Sequence, residues 1–270
     1  MQIIGQKTNL EIIDKWKQLP QFIILQGDTD TGKHQLAIYM CQKFNLHLVK
    51  MKNSVSEIRS LIGKMSIGAN TVYYFDDFDK ASLQAKNALL KITEEPVQDN
   101  YIIIAGSRQL KTLESRAYKI IMSGYSIEDM KQAMTVYAVP LQYCDMLYGV
   151  GINTPSKLIR YKDYDHLVSL ANFAVETVST ITVFSMDRVL YTLSRFDAWT
   201  KEYDTVYLYI SMMVNYIEYK ILHQQIYDYY PMLSIMIKYR TMLKKDETLN
   251  RKFILYRLLY EIHCIGRRVN

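Results

Sequence analysis

Cysteine is scarce in this sequence, and proline and glycine are few: 270 residues contain three cysteines, five prolines and ten glycines. Cys41, Cys144 and Cys264 lie far apart and form no Cys-x-x-Cys pair. This spacing excludes a four-cysteine structural zinc site and does not favour a disulfide framework. We therefore expect free thiols, no zinc, and hydrophobic cores that the 49% hydrophobic content can supply.

Long apolar runs are also missing, and none reaches the length needed to span a bilayer. The first residues, Met-Gln-Ile-Ile-Gly-Gln-Lys, lack the basic and then apolar pattern of a signal peptide. We expect a soluble, cytoplasmic protein with no membrane partner.

No segment is dominated by charge of one sign. Residues 1–165 contain 20 basic and 17 acidic side chains, and residues 166–270 contain 13 and 10, so the net charge of +6 is evenly divided. This balance permits weak, salt-sensitive contact with DNA phosphates and does not predict independent high-affinity binding. A mildly basic solvated surface is the simpler interpretation.

The first half alternates short apolar runs with helical patterns, which predicts a parallel α/β sheet of five strands. The predicted strands are residues 22–25, 46–49, 72–75, 101–105 and 119–122. From Ser126 onward the pattern becomes helical, and glycine is absent between Gly151 and Gly266. We predict three domains: an α/β domain at 1–124, a small helical lid at 125–165 and a helical domain at 166–270.

The most specific segment is 84–96, which reads Gln-Ala-Lys-Asn-Ala-Leu-Leu-Lys-Ile-Thr-Glu-Glu-Pro. Its apolar residues have the spacing of one helical face, Ser82 can cap the helix and Pro96 ends it. The string closely resembles the Asn-Ala-Leu-Leu-Lys-x-x-Glu-Glu-Pro helix of bacterial clamp-loader subunits, the AAA+ proteins that open sliding clamps during DNA replication. The resemblance implies a P-loop AAA+ domain, a helical lid and a helical collar.

A phosphate-binding loop is predicted where the first strand meets the first long helix. Residues 27–34 read Gly-Asp-Thr-Asp-Thr-Gly-Lys-His, which completes the pattern Gly-x4-Gly-Lys. The glycines let backbone N–H groups face phosphate oxygens, and Lys33 supplies a positive charge. His34 stands where a Ser or Thr hydroxyl normally holds Mg²⁺, and imidazole is a poor ligand for that cation. The loop therefore binds ATP or ADP with weak Mg²⁺, or it is an inherited loop without nucleotide.

Two acids follow the third predicted strand. By resemblance Asp76 positions Mg²⁺ through water, and Asp77 stands where active AAA+ ATPases usually have the Glu that activates water. The side chain of Asp77 is one methylene shorter, and a carboxylate displaced by about an ångström loses much of its benefit as a positioned base. Capping of the next turn is an alternative role for the pair. Ser107 matches the polar residue that senses the γ-phosphate. The candidate cofactor-binding residues are thus Gly27, Thr29, Thr31, Gly32, Lys33, His34, Asp76 and Ser107.

Residues 110–117 read Leu-Lys-Thr-Leu-Glu-Ser-Arg-Ala and resemble the clamp-loader segment Leu-Pro-Thr-Ile-x-Ser-Arg-Cys. In that family the arginine reaches into the ATP site of a neighbouring subunit, so Arg116 is the candidate finger. The alternative is a surface arginine paired with Glu114. Residues 153–159 resemble the lid pattern of delta-prime subunits, which lack the usual sensor arginine. Ser156 stands at the position of that arginine, so Lys157 or Arg160 would have to supply the positive charge.

The departures at His34, Asp77 and Ser156 all weaken hydrolysis, whereas Arg116 is retained. This combination is typical of the delta-prime subunit, which is catalytically poor and completes the active site of a neighbour. The resemblance implies a hetero-oligomer with other clamp-loader subunits, contact with the sliding clamp and weak contact with primer-template DNA. Bacterial delta-prime subunits often carry a four-cysteine zinc module after the phosphate loop. This sequence lacks it, which fits a divergent or phage-encoded version. Two alternatives are an ATP-hydrolysing, helicase-loader-like AAA+ protein and a non-catalytic AAA+ relic that binds host replication proteins.

Tyrosine is abundant in the C-terminal helical segment. One helical stripe comprises Val206, Tyr209, Ile210, Met213, Tyr216, Ile217 and Ile221. A second run comprises Phe253, Tyr256, Leu259, Tyr260 and His263. We predict that these residues form core or subunit interface, and base stacking with nucleic acid is the alternative.

Overall fold

The computed structural model describes residues 3–94, 99–161, 163–181, 185–197, 205–224, 229–246 and 248–269. In these ranges no helix is long and apolar enough to cross a membrane. The chain divides into two compact units. The first contains Met1–Asp129 with Thr154–Ser156, and the second contains Met130–Asn153 with Lys157–Asn270. The boundary between lid and collar near residue 165 stays a prediction.

The first unit contains a five-stranded sheet whose neighbours are all parallel. Its strands are β1 (Phe22–Gln26), β2 (His47–Met51), β3 (Thr71–Phe75), β4 (Asn100–Gly106) and β5 (Tyr118–Ile121). They lie in the order β2-β3-β4-β1-β5. Because β1 lies inside the sheet, between β4 and β5, the loop that follows it opens at the carboxyl ends of the strands, where open α/β sheets bind ligands.

Five helices of this unit flank the sheet: α1 (Lys7–Asp14), α2 (Lys33–Phe44), α3 (Val55–Ile67), α4 (Leu83–Glu94) and the single turn α5 (Lys111–Glu114). Both faces of the three interior strands, β1, β3 and β4, are buried. In β1, Phe22 and Ile24 join a core with α3 and α4, while Ile23 and Leu25 join a core with α1 and α2. This double burial explains why the interior strands are nearly continuous apolar runs rather than alternating ones.

The remaining helices are α6 (Ile127–Val136), α7 (Cys144–Gly149), α8 (Pro155–Arg160), α9 (Tyr164–Ser179), α10 (Met186–Asp197), α11 (Thr205–Gln224), α12 (Tyr230–Lys245) and α13 (Arg251–Val269). The buried face of α11 includes Val206, Tyr209, Ile210, Met213 and Ile217, as its periodicity predicts. Along α13, Leu259 and His263 are buried, but Phe253, Tyr256 and Tyr260 are exposed.

Local sequence signals explain where several helices begin. The Ser82 hydroxyl accepts a hydrogen bond from the Ala85 N–H at 3.2 Å, as the capping prediction requires. At the start of α6, the Asp129 N–H donates to the Ser126 hydroxyl oxygen at 3.1 Å, and the Ser126 N–H donates to Asp129 Oδ2 at 2.9 Å. The end of the 84–96 motif, Glu95 and Pro96, lies outside the described residues.

Candidate functional site

The predicted phosphate loop runs from Gly27 to Gly32, between β1 and α2. A Cβ on Gly27 would lie 2.7 Å from the Met122 Cβ and 2.8 Å from the Met122 carbonyl oxygen, so only glycine fits beside the end of β5. Gly32 has a φ of +83°, in the left-handed region that glycine favours. The strand, loop and helix that a phosphate loop requires are therefore present in the predicted register.

The Lys33 side chain points back into the loop that precedes it. Its ammonium donates to the Gly27 carbonyl oxygen at 2.9 Å and to the Asp28 carbonyl oxygen, and it lies 3.5 Å from Thr31 Oγ1. The side chain is buried, with 8% of the residue exposed. An ammonium held by loop carbonyls must leave them before it can contact a phosphate, which makes phosphate binding compete with the internal contacts.

Burial and the nearby carboxylates shift the pKa of Lys33 in opposite directions. Burial lowers its pKa, and the carboxylates of Asp76, Asp77, Asp28 and Asp79 partly offset that shift because they favour the charged form. Those four acids also raise the negative potential where a nucleotide polyphosphate would lie. The loop shape fits a phosphate group, but the surrounding charge does not favour one.

A cavity of about 320 Å³ opens beside the loop, entirely within the first unit. It is lined by Thr29, Asp30, Thr31, Gly32, Lys33, His34, Gln35, Asp76, Asp77 and Ser156. The structure thus brings together the predicted residues of the loop, the two acids after β3 and the residue at the sensor-arginine position of the lid pattern. Lys157 is engaged elsewhere, because its ammonium donates to the Gly151 carbonyl oxygen and to Asn153 Oδ1 at 2.8 and 2.9 Å.

The groups on the metal side of this cavity are already paired. The His34 ring packs against Tyr74 with centroids 5.2 Å apart, and it offers no hydroxyl oxygen. Asp76 Oδ2 lies 3.3 Å from the Lys50 ammonium, and Asp76 Oδ1 accepts from the Tyr74 hydroxyl at 3.2 Å. In the described part of the chain no group of three His, Cys, Asp or Glu side chains could hold a metal ion. These residues do not fit a Mg²⁺ site, which needs several free oxygen ligands.

Asp77 has a backbone φ of +49° and precedes a short 3-10 turn over Phe78–Lys80. Its carboxylate is 2.6 Å from the Lys80 ammonium, and the Lys80 N–H donates to the Asp77 carbonyl oxygen at 3.0 Å. Asp77 therefore organises the turn after β3, and its carboxylate is engaged by a lysine. Its role in water activation stays a prediction.

Ser107 is positioned by Asp79, which the sequence analysis did not single out. The Ser107 hydroxyl donates to Asp79 Oδ2 at 2.8 Å. The approach is possible because Gly106 has no side chain: a Cβ there would lie 2.5 Å from Asp79 Oδ1 and 2.7 Å from Gln109 Nε2. Asp79 Oδ1 and both polar atoms of the Gln109 amide are buried and have no hydrogen-bond partner among the described residues.

Arg116 lies near the amino ends of the strands, whereas the phosphate loop lies at their carboxyl ends. It lines a second cavity with residues at the amino ends of the strands, among them Phe22, Asn100 and Tyr118. The phosphate loop leaves the carboxyl end of β1, and a five-residue strand is about 16 Å long. Arg116 therefore cannot contact a phosphate held by the loop of its own chain.

The partners of Arg116 differ from the ion pair weighed in the sequence analysis. Its guanidinium lies 3.0 Å from Glu94 Oε1 and donates to the Thr112 carbonyl oxygen at 2.8 Å. Glu114 instead lies 3.5 Å from the Lys119 ammonium, so the Glu114 pairing is wrong. The Glu94 contact joins the two segments that carry the clamp-loader resemblance. The Arg116 side chain remains 37% exposed, open to a neighbouring molecule.

Sequence reasoning missed the residues that support the loop from behind. A Cβ on Gly32 would lie 2.7 Å from the Tyr125 hydroxyl oxygen, and the Tyr125 ring also lies against Gly5. The buried Gln6 amide donates to the Ser123 carbonyl oxygen at 2.7 Å and lies 3.5 Å from the Thr31 carbonyl oxygen. No motif marks these residues, because their role depends on contacts across more than a hundred positions of sequence.

Part of the chain is similar to a known protein family. Residues 42–125 match the family model described as "DNA polymerase III, delta subunit". No curated protein matches the chain. The matched segment contains β2 to β5 and the segments around Glu94 and Arg116, so the similarity to DNA polymerase III delta subunits covers this part of the chain.

Solved structures show the fold. The RuvB Holliday junction branch migration motor of Thermotoga maritima is 15% identical, with 82% of this chain and 77% of that chain covered and a TM-score of 0.50. Its A156S mutant is 16% identical, with coverages of 72% and 70% and a TM-score of 0.50. A DNA polymerase III gamma-subunit-related protein of T. maritima is 14% identical, with coverages of 97% and 99% and a TM-score of 0.49. The predicted fold, a five-stranded parallel α/β sheet followed by a helical region, is confirmed.

Proposed function

We propose that this chain is a clamp-loader subunit of the delta-prime type, which supplies Arg116 to the ATPase site of a neighbouring subunit and hydrolyses little ATP itself. The observation that carries the proposal is the position of Arg116. It is exposed, it lies at the sheet edge opposite its own phosphate loop, and it is held by Glu94 at 3.0 Å. A guanidinium so placed can stabilise a transferring phosphoryl group only on another molecule.

The state of the phosphate loop supports the second half of the proposal. Lys33 is bound by loop carbonyls, Asp76 and Asp77 are bound by Lys50 and Lys80, and His34 replaces a hydroxyl ligand. Each contact occupies a group that hydrolysis requires, and His34 lacks the hydroxyl that Mg²⁺ would need. None of these features involves Arg116. We expect the isolated chain to have negligible ATPase activity. A turnover number on the order of 1 s⁻¹ or more, within the usual enzyme range, would favour the helicase-loader-like alternative.

The proposed partners are other AAA+ clamp-loader subunits, the sliding clamp and, through the assembly, primer-template DNA. The exposed aromatic side chains of α13 suit a subunit contact in the collar. Phe253, Tyr256 and Tyr260 are 58%, 40% and 43% exposed, and they follow one another at helical spacing. The Tyr256 and Tyr260 rings stack with centroids 6.2 Å apart, which orders the face before a partner binds.

The central experiment uses the complex that co-purifies with a tagged chain from its host, with partners identified by mass spectrometry. Arg116→Ala should lower the ATPase rate of that complex at least about tenfold while the complex still assembles, because arginine fingers contribute larger factors than this. Arg116→Lys should restore little of the rate, since lysine cannot form the planar, two-pronged contact. Arg59→Ala, an exposed arginine on α3, is the control and should leave the rate unchanged. An unchanged rate in Arg116→Ala would refute the proposed role.

A second candidate is favoured by the contacts of Lys33: the loop is a relic that binds no nucleotide, and the chain acts only through its protein partners. Calorimetry with ATP and with ADP separates the two states of the loop. Binding that Lys33→Met abolishes shows a working phosphate site. No heat with wild-type protein at millimolar nucleotide shows a relic. The role of Arg116 does not depend on this result, because the phosphates on which it acts belong to the neighbour.

A further inference from the structure

The second unit contains a polar, cationic cavity that the proposed function does not use. The cavity has a volume of about 640 Å³ and lies between α11 and α12. It is lined by Tyr207, Ser211, Asn215, Arg240, Thr241, Lys244 and Lys245. The three residues from α11 are spaced by four positions, so they form one row on a helix whose other faces are largely buried among apolar residues.

The charge on the α12 side is of one sign. This helix carries Lys238, Arg240, Lys244 and Lys245 and no acidic residue, and no acid lines the cavity. Two other cations of the second unit are paired with acids: Arg188 with Glu176, and Arg257 with Glu261. In the described part of the chain, Arg240, Lys244 and Lys245 have no ion-pair partner.

The end of α12 does not require these cations. Lysines in a last helical turn commonly satisfy free carbonyl groups and the negative end of the helix dipole. Here Arg251 takes that role, because its guanidinium donates to the Leu243 carbonyl oxygen at 3.1 Å and to the Asp246 carbonyl oxygen at 3.3 Å. The Asp246 N–H also donates to the Met242 carbonyl oxygen at 3.1 Å. Lys244 and Lys245 are therefore exposed cations without a capping role.

Ser211 adds an unused hydrogen-bonding group. Its hydroxyl oxygen is buried and has no hydrogen-bond partner among the described residues. Serine hydroxyls inside helices usually bond to the carbonyl oxygen one turn earlier, as Thr241 does with Ile237 at 2.7 Å. A buried hydroxyl without a partner costs free energy in the free protein, and a bound acceptor would recover it.

We propose that this cavity binds the phosphodiester backbone of a single DNA strand. Three cations, the unpartnered Ser211 hydroxyl and the absence of an acid from the lining suit phosphate oxygens. Arg240 and Lys244 are one helical turn apart, about 6 Å along the axis, so the charges form a row that adjacent phosphates can follow. The row lies in an open groove rather than converging on one point, which favours a strand over a free phosphate ion. Tyr207 supplies an aromatic ring on which a base can stack.

The test measures fluorescence anisotropy of labelled dT20 with the full-length chain over a range of salt concentrations. In the cavity variant, Arg240→Gln, Lys244→Gln and Lys245→Gln are combined. We expect its affinity to fall at least tenfold and the slope of log affinity against log salt to shrink by about 2, because each lost phosphate contact removes about 0.7 from that slope for single strands. The control variant combines Lys15→Gln, Lys131→Gln and Lys238→Gln, which remove the same charge from exposed sites outside the cavity, and it should keep the wild-type slope.

Two further measurements separate this site from general charge effects. Ser211→Ala should weaken dT20 binding several-fold without lowering Tm, because its hydroxyl has no partner in the free protein. Inorganic phosphate should compete only at far higher concentration than unlabelled dT20. The proposal is overturned by equal losses in the cavity and control variants, by wild-type protein that does not bind dT20, or by inorganic phosphate that competes as well as dT20. None of these outcomes bears on Arg116, so this proposal and the proposed function can fail separately.

Discussion

Replacement of Gly27 by alanine should destabilise the first unit and distort the phosphate loop. The new Cβ would lie 2.7 Å from the Met122 Cβ and 2.8 Å from the Met122 carbonyl oxygen, whereas ordinary contacts begin near 3.4 Å. The loop would have to move by about 0.7 Å. Its neighbour is backbone at the end of β5, which cannot give way as a flexible side chain would.

The hydrogen bonds around Gly27 set the size of the effect. The Gly27 N–H donates to the Gly106 carbonyl oxygen at 3.0 Å, and the Met122 N–H donates to the Gln26 carbonyl oxygen at 2.7 Å. A shift that relieves the clash must stretch one of them. Overpacking of this kind costs about 1–3 kcal/mol. We expect a loss of about 2 kcal/mol in the free energy of unfolding and a fall in Tm of roughly 4–8 °C.

Gly63→Ala provides a matched control of opposite sign. Gly63 lies inside α3, and a Cβ there would have no heavy atom within 4 Å. Alanine should raise the free energy of unfolding by about 0.5–1 kcal/mol, because glycine is a poor helix former. Urea denaturation and thermal melting of wild type and both variants measure the difference. A Gly27→Ala protein as stable as wild type, or a destabilised Gly63→Ala protein, would refute the packing argument.

Further predictions concern cysteine reactivity and a buried hydroxyl pair. Burial raises the pKa of Cys41 from 9.0 to about 11, which lowers its thiolate fraction at pH 8 about a hundredfold. In native protein a thiol-disulfide reagent should therefore label the half-buried Cys264 first and Cys41 only on unfolding; a Cys264→Ser variant that keeps the fast phase would contradict this. The Tyr209 hydroxyl lies 2.7 Å from Thr177 Oγ1, both residues being fully buried. Tyr209→Phe should cost about 1 kcal/mol, and a cycle with Thr177→Val should show a coupling of similar size; independent, additive losses would exclude the bond.

Much of the first unit could be predicted from the sequence because its signals are local. All five strands lie within one or two residues of the predicted runs, and α2 begins at Lys33, as the loop motif requires. The cap at Ser82 was visible in the same way. The order of the strands was not predictable, because β1 is paired with β4 and β5 rather than with β2.

The site was predictable as a set of positions but not as a set of contacts. The loop, the acids after β3 and Ser107 follow from spacing and resemblance. The inward turn of Lys33 and the Lys50 contact of Asp76 depend on where separate elements meet. The pairing of Arg116 failed for a related reason: the single turn of α5 directs Glu114 to Lys119, while the end of α4 brings Glu94 to the guanidinium.

The place of β1 between β4 and β5 has a consequence during synthesis. Phe22 pairs with Ile102, 80 residues later, and Ile23 pairs with Tyr118. At about 5–20 residues per second, a ribosome needs roughly 4–16 s to add those 80 residues. For that time the apolar run Phe22-Ile-Ile-Leu has been translated before either strand that will cover it. We therefore expect β1 to stay without its partner strands until most of the first unit has been made.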